Sequence, residues 1–302
     1  MIPLKDNIPT DRFPVVTVAF IAINVLVFIW QLTYSTDPQL GEPPYDLGSI
    51  DQSSLEYGAI PYRITHPDEK ADCAIGPVET GGQIELGVVC PGTAEYDEAV
   101  LISTESVGPA AGIVPATDDP TGLELQPLAQ AAWFVTLFTS MFMHGGLLHI
   151  AGNMLFLWVF GNNIEDSMGR FKFAAFYLTA GLVAVYSQAL LDVDSTVPTI
   201  GASGAVAGVL GAYALLHPAA RVLTLIFIIF FVTLVEIPAL ILLGIWFVLQ
   251  FVPALGQVAT PEVGGGEGIA YFAHVGGFIF GLAVVKLLAR RRPEPQPELP
   301  AV

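Results

Sequence analysis

The chain has 302 residues, of which 53% are hydrophobic and only 13% charged, and its mean hydropathy is +0.64. A soluble globular domain carries about 25% charged residues, so this composition excludes both an ordinary soluble enzyme and a disordered protein. The formal net charge of −17 argues against a nucleic-acid-binding protein, and two cysteines are too few for a structural zinc cluster. The sequence therefore predicts an integral membrane protein.

Six apolar segments approach the roughly 20 residues that a membrane-spanning helix needs. In chain order they are predicted at residues 14–34, 146–163, 173–191, 201–216, 237–252 and 269–288. The apolar stretch 223–235 is separated from the fifth span by Glu236 and Pro238, and we interpret it as an interfacial approach to that span. The expected fold is an all-α membrane protein with six transmembrane helices.

The charged residues indicate how these spans are oriented. Nine of the eleven Lys and Arg residues lie on one side of the spans, which the positive-inside rule assigns to the cytoplasm together with both termini. Segment 35–130 holds 17 of the 28 acids and only two bases. We therefore expect four parts: an N-terminus with the first helix (1–34), a large acidic extracytoplasmic insertion (35–130), a core with helices two to six (131–290) and a cytoplasmic Pro-rich tail (291–302).

The acidic insertion mixes β-type patches with many turn residues, which leaves both a small β-rich subdomain and an irregular loop open. Its two cysteines, Cys73 and Cys90, face an oxidising compartment in the expected topology. A disulfide between them is one interpretation, and two free thiols are the other.

Four polar side chains fall within the predicted spans, where their cost makes them candidates for function. His149 and Asn153 lie four residues apart on the second span, Ser203 begins the fourth, and His274 lies about 8 Å into the sixth. Each alone has an ordinary explanation, such as a helix-start serine or an interhelical hydrogen bond. Because all four reach the same outer third of the bilayer, a single site is the favoured interpretation.

Small residues repeat at every fourth position beside two of these polar groups. Such tracks allow close approach of membrane helices, which would bring Ser203 and His274 together. The track on the fourth span is Gly204, Gly208 and Ala212, and the track on the sixth is Ala273, Gly277 and Gly281.

These residue types suit acyl transfer. A serine hydroxyl needs a base to take its proton, and a neutral His274 can do so near pH 7. The oxyanion that follows needs donors, for which the Ser203 main-chain N–H, the Asn153 amide and the His149 ring are candidates.

The sequence indicates neither an acidic third catalytic residue nor a metal site. Glu165 and Asp166 fall at the inner end of the second span, so we expect a dyad and interpret these acids as caps or as partners of Arg170 and Lys172. The HxxxxHxxxN pattern that begins at His144 lacks the HExxH spacing, and no metal or other cofactor is expected.

Three segments together resemble the signatures of the rhomboid intramembrane serine proteases, in the same order and on the corresponding spans: HGGLLHIAGNMLFLWVFGNNIEDSMG, GASGAVAGVLGAY and AHVGGFIFG. The resemblance extends over the six spans but not over the acidic insertion. It implies Ser203 as nucleophile, His274 as general base, an oxyanion site of His149, Asn153 and the Ser203 main chain, and a structural role for His144. The implied packing glycines are Gly277 and Gly281, and Gly201 and Gly204 are further candidate packing residues beside Ser203.

The same resemblance implies an endopeptidase that cleaves membrane proteins in or near their transmembrane segments, in a bacterial inner or plasma membrane with the site near the outer face. It implies a membrane-embedded loop ending at 131–143, where Val135-Thr136 replaces the Trp-Arg pair of many members. Trp246 and Phe247 on the fifth span are a candidate substrate gate under the glycine-rich cap 256–268, with an ordinary aromatic belt as the alternative. A catalytically silent client binder and a small-solute transporter are the competing functions.

Overall fold

The computed structural model describes residues 1–34, 48–67, 73–80, 83–94, 96–97, 99–100, 125–128, 130–228, 231–259 and 269–290. Most of this part of the chain is helical. The helices are α1 (Val15–Gln31), α2 (Ser49–Tyr57), α3 (Pro61–Thr65), α4 (Trp133–Thr139), α5 (Leu147–Met168), α6 (Arg170–Leu191), α7 (Ser203–Leu216), α8 (Ala239–Ala259) and α9 (Tyr271–Leu288). The strands are β1 (Ile2–Asp6), β2 (Ala74–Thr80), β3 (Gln83–Val89), β4 (Gln126–Pro127), β5 (Arg221–Ile228) and β6 (Phe231–Pro238).

Among the residues that the structure describes, four helices are long and apolar enough to cross a membrane: α5, α6, α8 over Ala239–Gly256, and α9. The first and fourth predicted spans correspond to α1 and α7, which are apolar but have only 17 and 14 residues. Twelve of the 14 residues of α7 are buried. Neighbouring helices rather than lipid therefore surround α7, so its length need not match the bilayer thickness.

The expectation of an all-α fold is wrong, because two three-stranded sheets are present. Strands β5 and β6 form an antiparallel hairpin, from Arg221 opposite Pro238 to Ile228 opposite Phe231, where the sequence indicated only an interfacial approach. β1 adds to β5 and completes the order β1-β5-β6. The hairpin is rich in β-branched and aromatic residues, which favour strands. Because it is apolar on both faces, it lacks the alternation of apolar and polar residues by which a strand is recognised in a sequence.

The insertion contains the second sheet, with strand order β3-β2-β4. Cys73 and Cys90 are joined by a disulfide beside it, which confirms the pairing and supports the β-rich alternative for the described part of the insertion. Ala59 exchanges two main-chain hydrogen bonds with Thr199 in the loop before α7, at 3.1 and 2.8 Å. The main-chain oxygen of Tyr57 accepts a hydrogen bond of 2.7 Å from Thr139 Oγ1 at the end of α4. The insertion is thus attached directly to the segments that lead into α5 and α7.

Buried polar contacts hold the start of the chain against the C-terminal ends of α5 and α7. Glu165 accepts hydrogen bonds from Val16 N, Thr17 N and Thr17 Oγ1 at 2.8–3.0 Å, so it caps α1 as one interpretation of the sequence predicted. In β1, Asp6 accepts hydrogen bonds from Asn163 Nδ2 and from the hydroxyl of Tyr213.

Candidate active site

Ser203 and His274 meet where α7 and α9 pack together. His274 Nε2 lies 2.7 Å from Ser203 Oγ, although 71 residues separate them in the chain. Ser203 is the first residue of α7, and His274 lies in the first turn of α9, so both side chains are at the same end of the bundle. The arrangement joins a hydroxyl to a base that can accept its proton.

The glycine tracks of the two helices make this meeting possible. A Cβ built on Gly277 would overlap the carbonyl oxygen of Gly204, and one built on Gly281 would overlap that of Gly208. Gly211, which the sequence analysis did not single out, meets the carbonyl of Phe278 in the same way. The backbones of α7 and α9 are therefore in direct contact, as the small-residue spacing predicts.

Gln250 on α8 binds the other nitrogen of the same imidazole. Its Oε1 lies 2.7 Å from His274 Nδ1. A carbonyl oxygen can only accept, so in this arrangement Nδ1 carries the hydrogen and the lone pair of Nε2 faces Ser203. Gln250 is thus an uncharged partner of the predicted general base, for which the sequence analysis considered only carboxylates.

His149 borders the same space as Ser203 because a glycine lies between them. Gly201 has a φ of 122°, which favours glycine, and a Cβ built on it would lie 2.8 Å from His149 Nε2 and 3.5 Å from Ser203 Oγ. Any side chain at residue 201 would push the imidazole away from α7. The Gly201 N–H donates to Ser140 O at 2.8 Å, which fixes the turn before Ser203.

Asn153 lies one turn beyond His149 on α5 and is buried. Its Nδ2 has no hydrogen-bond partner within the described part of the chain. An unsatisfied buried amide donor is costly, and such exceptions are found where a ligand supplies the acceptor. The side chain is therefore available to an anionic group.

His144 is fully buried in the segment before α5, and its main-chain N–H donates to Gln31 Oε1 at 2.9 Å. Gln31 in turn donates to Ser53 Oγ at 3.1 Å, which links α1 and α2 to this segment. Burial lowers the pKa of His144 to about 4, and the neighbouring His149 adds to the effect. His144 is thus a neutral residue in the packing, consistent with the structural role that the resemblance implies.

Trp246 and Phe247 of α8 pack against α9. The Trp246 ring centroid lies 6.0 Å from that of His274, and Phe247 lies 4.8 Å from Phe278. Only Trp246 of the two contacts the site, so the candidate gate residues are not equivalent. Of the predicted cap 256–268, residues 260–268 lie outside the described part of the chain.

Comparison with known proteins agrees with this geometry. The family model for the Rhomboid domain matches residues 131–291, more than half of the chain. The chain belongs to the rhomboid family. This domain contains every site residue named above except Gln31 and Ser53, and it excludes the whole acidic insertion (35–130).

The relatives are similar over limited segments. Yeast (Saccharomyces cerevisiae) "Rhomboid protein 1, mitochondrial" is 29% identical over 155 residues, 49% of this chain and 40% of the relative. "Rhomboid protease GluP" of Bacillus subtilis is 39% identical over 85 residues, 28% of this chain and 16% of the relative. The human "Presenilin-associated rhomboid-like protein, mitochondrial" is 36% identical over 94 residues, 30% of this chain and 24% of the relative.

This rhomboid chain therefore spans two fifths or less of the length of these relatives. Two of the three are mitochondrial by name, and the third is from a bacterium. Family membership and four apolar helices make the chain an integral membrane protein.

Proposed function

We propose that this rhomboid is an intramembrane serine endopeptidase that hydrolyses peptide bonds in or near transmembrane segments of membrane proteins. The contact of 2.7 Å between His274 Nε2 and Ser203 Oγ carries the proposal, because it places a proton acceptor on a serine in a site closed by apolar helices. The name of a relative from Bacillus subtilis, a rhomboid protease, supports the same reaction class.

In the acylation step, Ser203 Oγ attacks the scissile carbonyl carbon while its proton passes to His274 Nε2. The carbonyl π electrons move to oxygen, and the resulting oxyanion is stabilised by the Ser203 N–H, the Asn153 amide and the His149 ring. His274 then gives its proton to the leaving amine as the C–N bond breaks. Gln250 keeps the imidazole oriented throughout by accepting the Nδ1–H bond.

Deacylation uses water and returns the enzyme to its starting state. His274 accepts a proton from water, the hydroxide oxygen attacks the acyl carbon, and the Ser203 oxygen leaves and regains a proton from His274. The fragments carry a new carboxylate and a new amine. No metal or cofactor takes part in this scheme.

The proposed topology has six spans, formed by α1, α5, α6, α7, α8 and α9. The basic end of the bundle and both termini face the cytoplasm, while the acidic insertion and the site lie toward the other face. The substrate enters from lipid past α8, and cleavage requires that its helix unwinds at the scissile bond, so helix-breaking residues there favour cleavage.

The test is cleavage of a panel of single-span proteins in membranes by the wild type, Ser203→Ala and His274→Ala. A serine-reactive fluorophosphonate probe is added in parallel, with Ser187→Ala as the control, because the Ser187 hydroxyl lies on α6 and donates to Val183 O of the same helix at 2.7 Å. We expect labelling and cleavage to disappear in Ser203→Ala and to persist in Ser187→Ala. Cleavage that survives both dyad variants would refute the mechanism, and capture of clients without labelling would identify a silent binder.

A further inference from the structure

A cavity of about 490 Å³ lies at the end of the bundle opposite Ser203. Its walls come from the residues before α1, the junction of α5 with α6, and the residue that follows α9 by two positions. Since α9 continues 14 residues beyond His274 to Leu288, the cavity is about 21 Å from the proposed dyad. It therefore forms no part of the site described above.

Four basic side chains line this cavity: Arg12, Arg170, Lys172 and Arg290. They are four of the eleven Lys and Arg residues in a chain of formal net charge −17, although they come from three separate segments of the sequence. Within the described part of the chain, none of the four makes an ion pair, and Lys172 Nζ donates to the main-chain oxygen of Leu288 at 3.2 Å. Among the described residues, no carboxylate therefore lies within ion-pair distance of these four charges.

The two acids of the cavity wall are directed to other partners. Glu165 uses both carboxylate oxygens on the start of α1, and Asp166 Oδ2 accepts from Asp11 N at 3.4 Å. With four bases against two acids, the cavity has an excess of positive charge. Such a space is complementary to a phosphate monoanion or diester.

The rim of the cavity is apolar and exposed. Phe171 and Phe13 both line it, and 94% and 66% of their surface is accessible. Exposed aromatic side chains next to arginines at helix ends are the arrangement that proteins use at the boundary between headgroups and acyl chains. A free phosphate ion would make no favourable contact with this apolar rim. A phospholipid would contact the basic cavity with its headgroup and the rim with its acyl chains.

We propose that this cavity binds the headgroup phosphate of an anionic phospholipid, of the phosphatidylglycerol or cardiolipin class, with the acyl chains lying against Phe13 and Phe171. The proposal depends on the chain being embedded in a membrane and not on the protease activity. The basic groups act together as one binding site, in contrast to a general attraction between a basic surface and an anionic leaflet.

The test is native mass spectrometry of the full chain in nonionic detergent, titrated with phosphatidylglycerol and, separately, with phosphatidylcholine. We expect saturable binding of phosphatidylglycerol and at least tenfold weaker binding of phosphatidylcholine. Arg290→Gln and Arg12→Gln should each weaken phosphatidylglycerol binding about fivefold, the effect of one basic contact. Lys286→Gln removes the same charge from an exposed position on α9 outside the cavity and should change it less than twofold.

Three results would overturn the proposal: equal binding of the two lipids, an equal loss in Lys286→Gln and Arg290→Gln, or displacement of phosphatidylglycerol by millimolar inorganic phosphate. The last result would identify a soluble anion as the ligand. Arg12 and Arg290 lie at opposite ends of the chain, so the two variants test the cavity independently of the folding of either segment. Cleavage activity of each variant is measured separately, because loss of lipid binding and loss of proteolysis are distinct outcomes.

Discussion

Gln250 Oε1 and His274 Nδ1 lie 2.7 Å apart, so the helix that the substrate is proposed to pass also holds the proposed general base. Outward movement of α8 would separate these two atoms. The imidazole would then be free to rotate until α8 returns, and the site would be assembled only with α8 in place.

The role of Gln250 can be tested with variants that keep the size of its side chain but remove or retain the hydrogen-bond acceptor. Gln250→Leu fills a similar space without accepting the Nδ1–H bond, and we expect kcat to fall about tenfold with little change in KM. Gln250→Glu keeps an acceptor and should retain more activity than Gln250→Leu. Steady-state cleavage of a single-span substrate measures both, with Leu249→Ala on the exposed side of α8 as the control. A Gln250→Leu variant as active as the wild type would exclude a positioning role.

The two candidate gate residues should respond differently to truncation. Phe247 packs against Phe278 and Phe251, so Phe247→Ala loosens α8 without touching the dyad and should raise the rate of cleavage severalfold. Trp246 also packs on His274, so Trp246→Ala should gain less or lose activity. Initial rates against the exposed-site control Val248→Ala check this prediction. Equal acceleration by both truncations would show that Trp246 does not support the imidazole.

Contact between the α7 and α9 backbones should make Gly281 intolerant of even a methyl group. Gly281→Ala places Cβ against Gly208 O and should destabilise the protein by about 1–3 kcal/mol. Gly244→Ala is the matched control, because its Cβ meets no other heavy atom within 4 Å and alanine favours a helix. Thermal unfolding in detergent measures the difference. A Gly281→Ala protein that unfolds at the wild-type temperature would contradict the close approach.

Burial raises the pKa of Asp6 to about 6 from 3.8, while hydrogen bonds from Tyr213 and Asn163 oppose the shift. The folded state therefore binds this proton more tightly than the unfolded state. Its contribution to stability is complete below pH 3.8 and is lost as the pH rises toward 6, at most about 3 kcal/mol. Unfolding measured from pH 4 to 7 should show this decline in the wild type and a flatter profile in Asp6→Asn. Exposed Asp51→Asn is the control, and an unchanged slope in Asp6→Asn would refute the assignment.

The parts of the fold that sequence analysis anticipated are those recorded in local spacing. The four-residue intervals around Gly208 and Gly277 predict helix contact, and the common depth of Ser203 and His274 follows from counting residues along two spans. With only two cysteines, the partner of Cys73 could only be Cys90 or none. In each case the information lies within one helix or one pair of residues.

Other features depend on relationships that no local pattern records. Gln250 is one of two glutamines in the apolar helix α8, and its contact with His274 arises from how α8 crosses α9. The β5–β6 hairpin is apolar on both faces, so its composition resembles that of a membrane helix. The pairing of β1 with β5 joins residues more than 200 positions apart.

The paired main-chain bonds between Ala59 and Thr199 reach to within four residues of Ser203. A ligand that displaces Ala59 must break both bonds and so alters the free energy of the turn that presents the nucleophile. Thermodynamic linkage is reciprocal, so a substrate seated at Ser203 changes the affinity of the acidic insertion for that ligand by the same factor. Displacement of the insertion at Ala59 and occupation of the site at Ser203 would thereby be linked energetically.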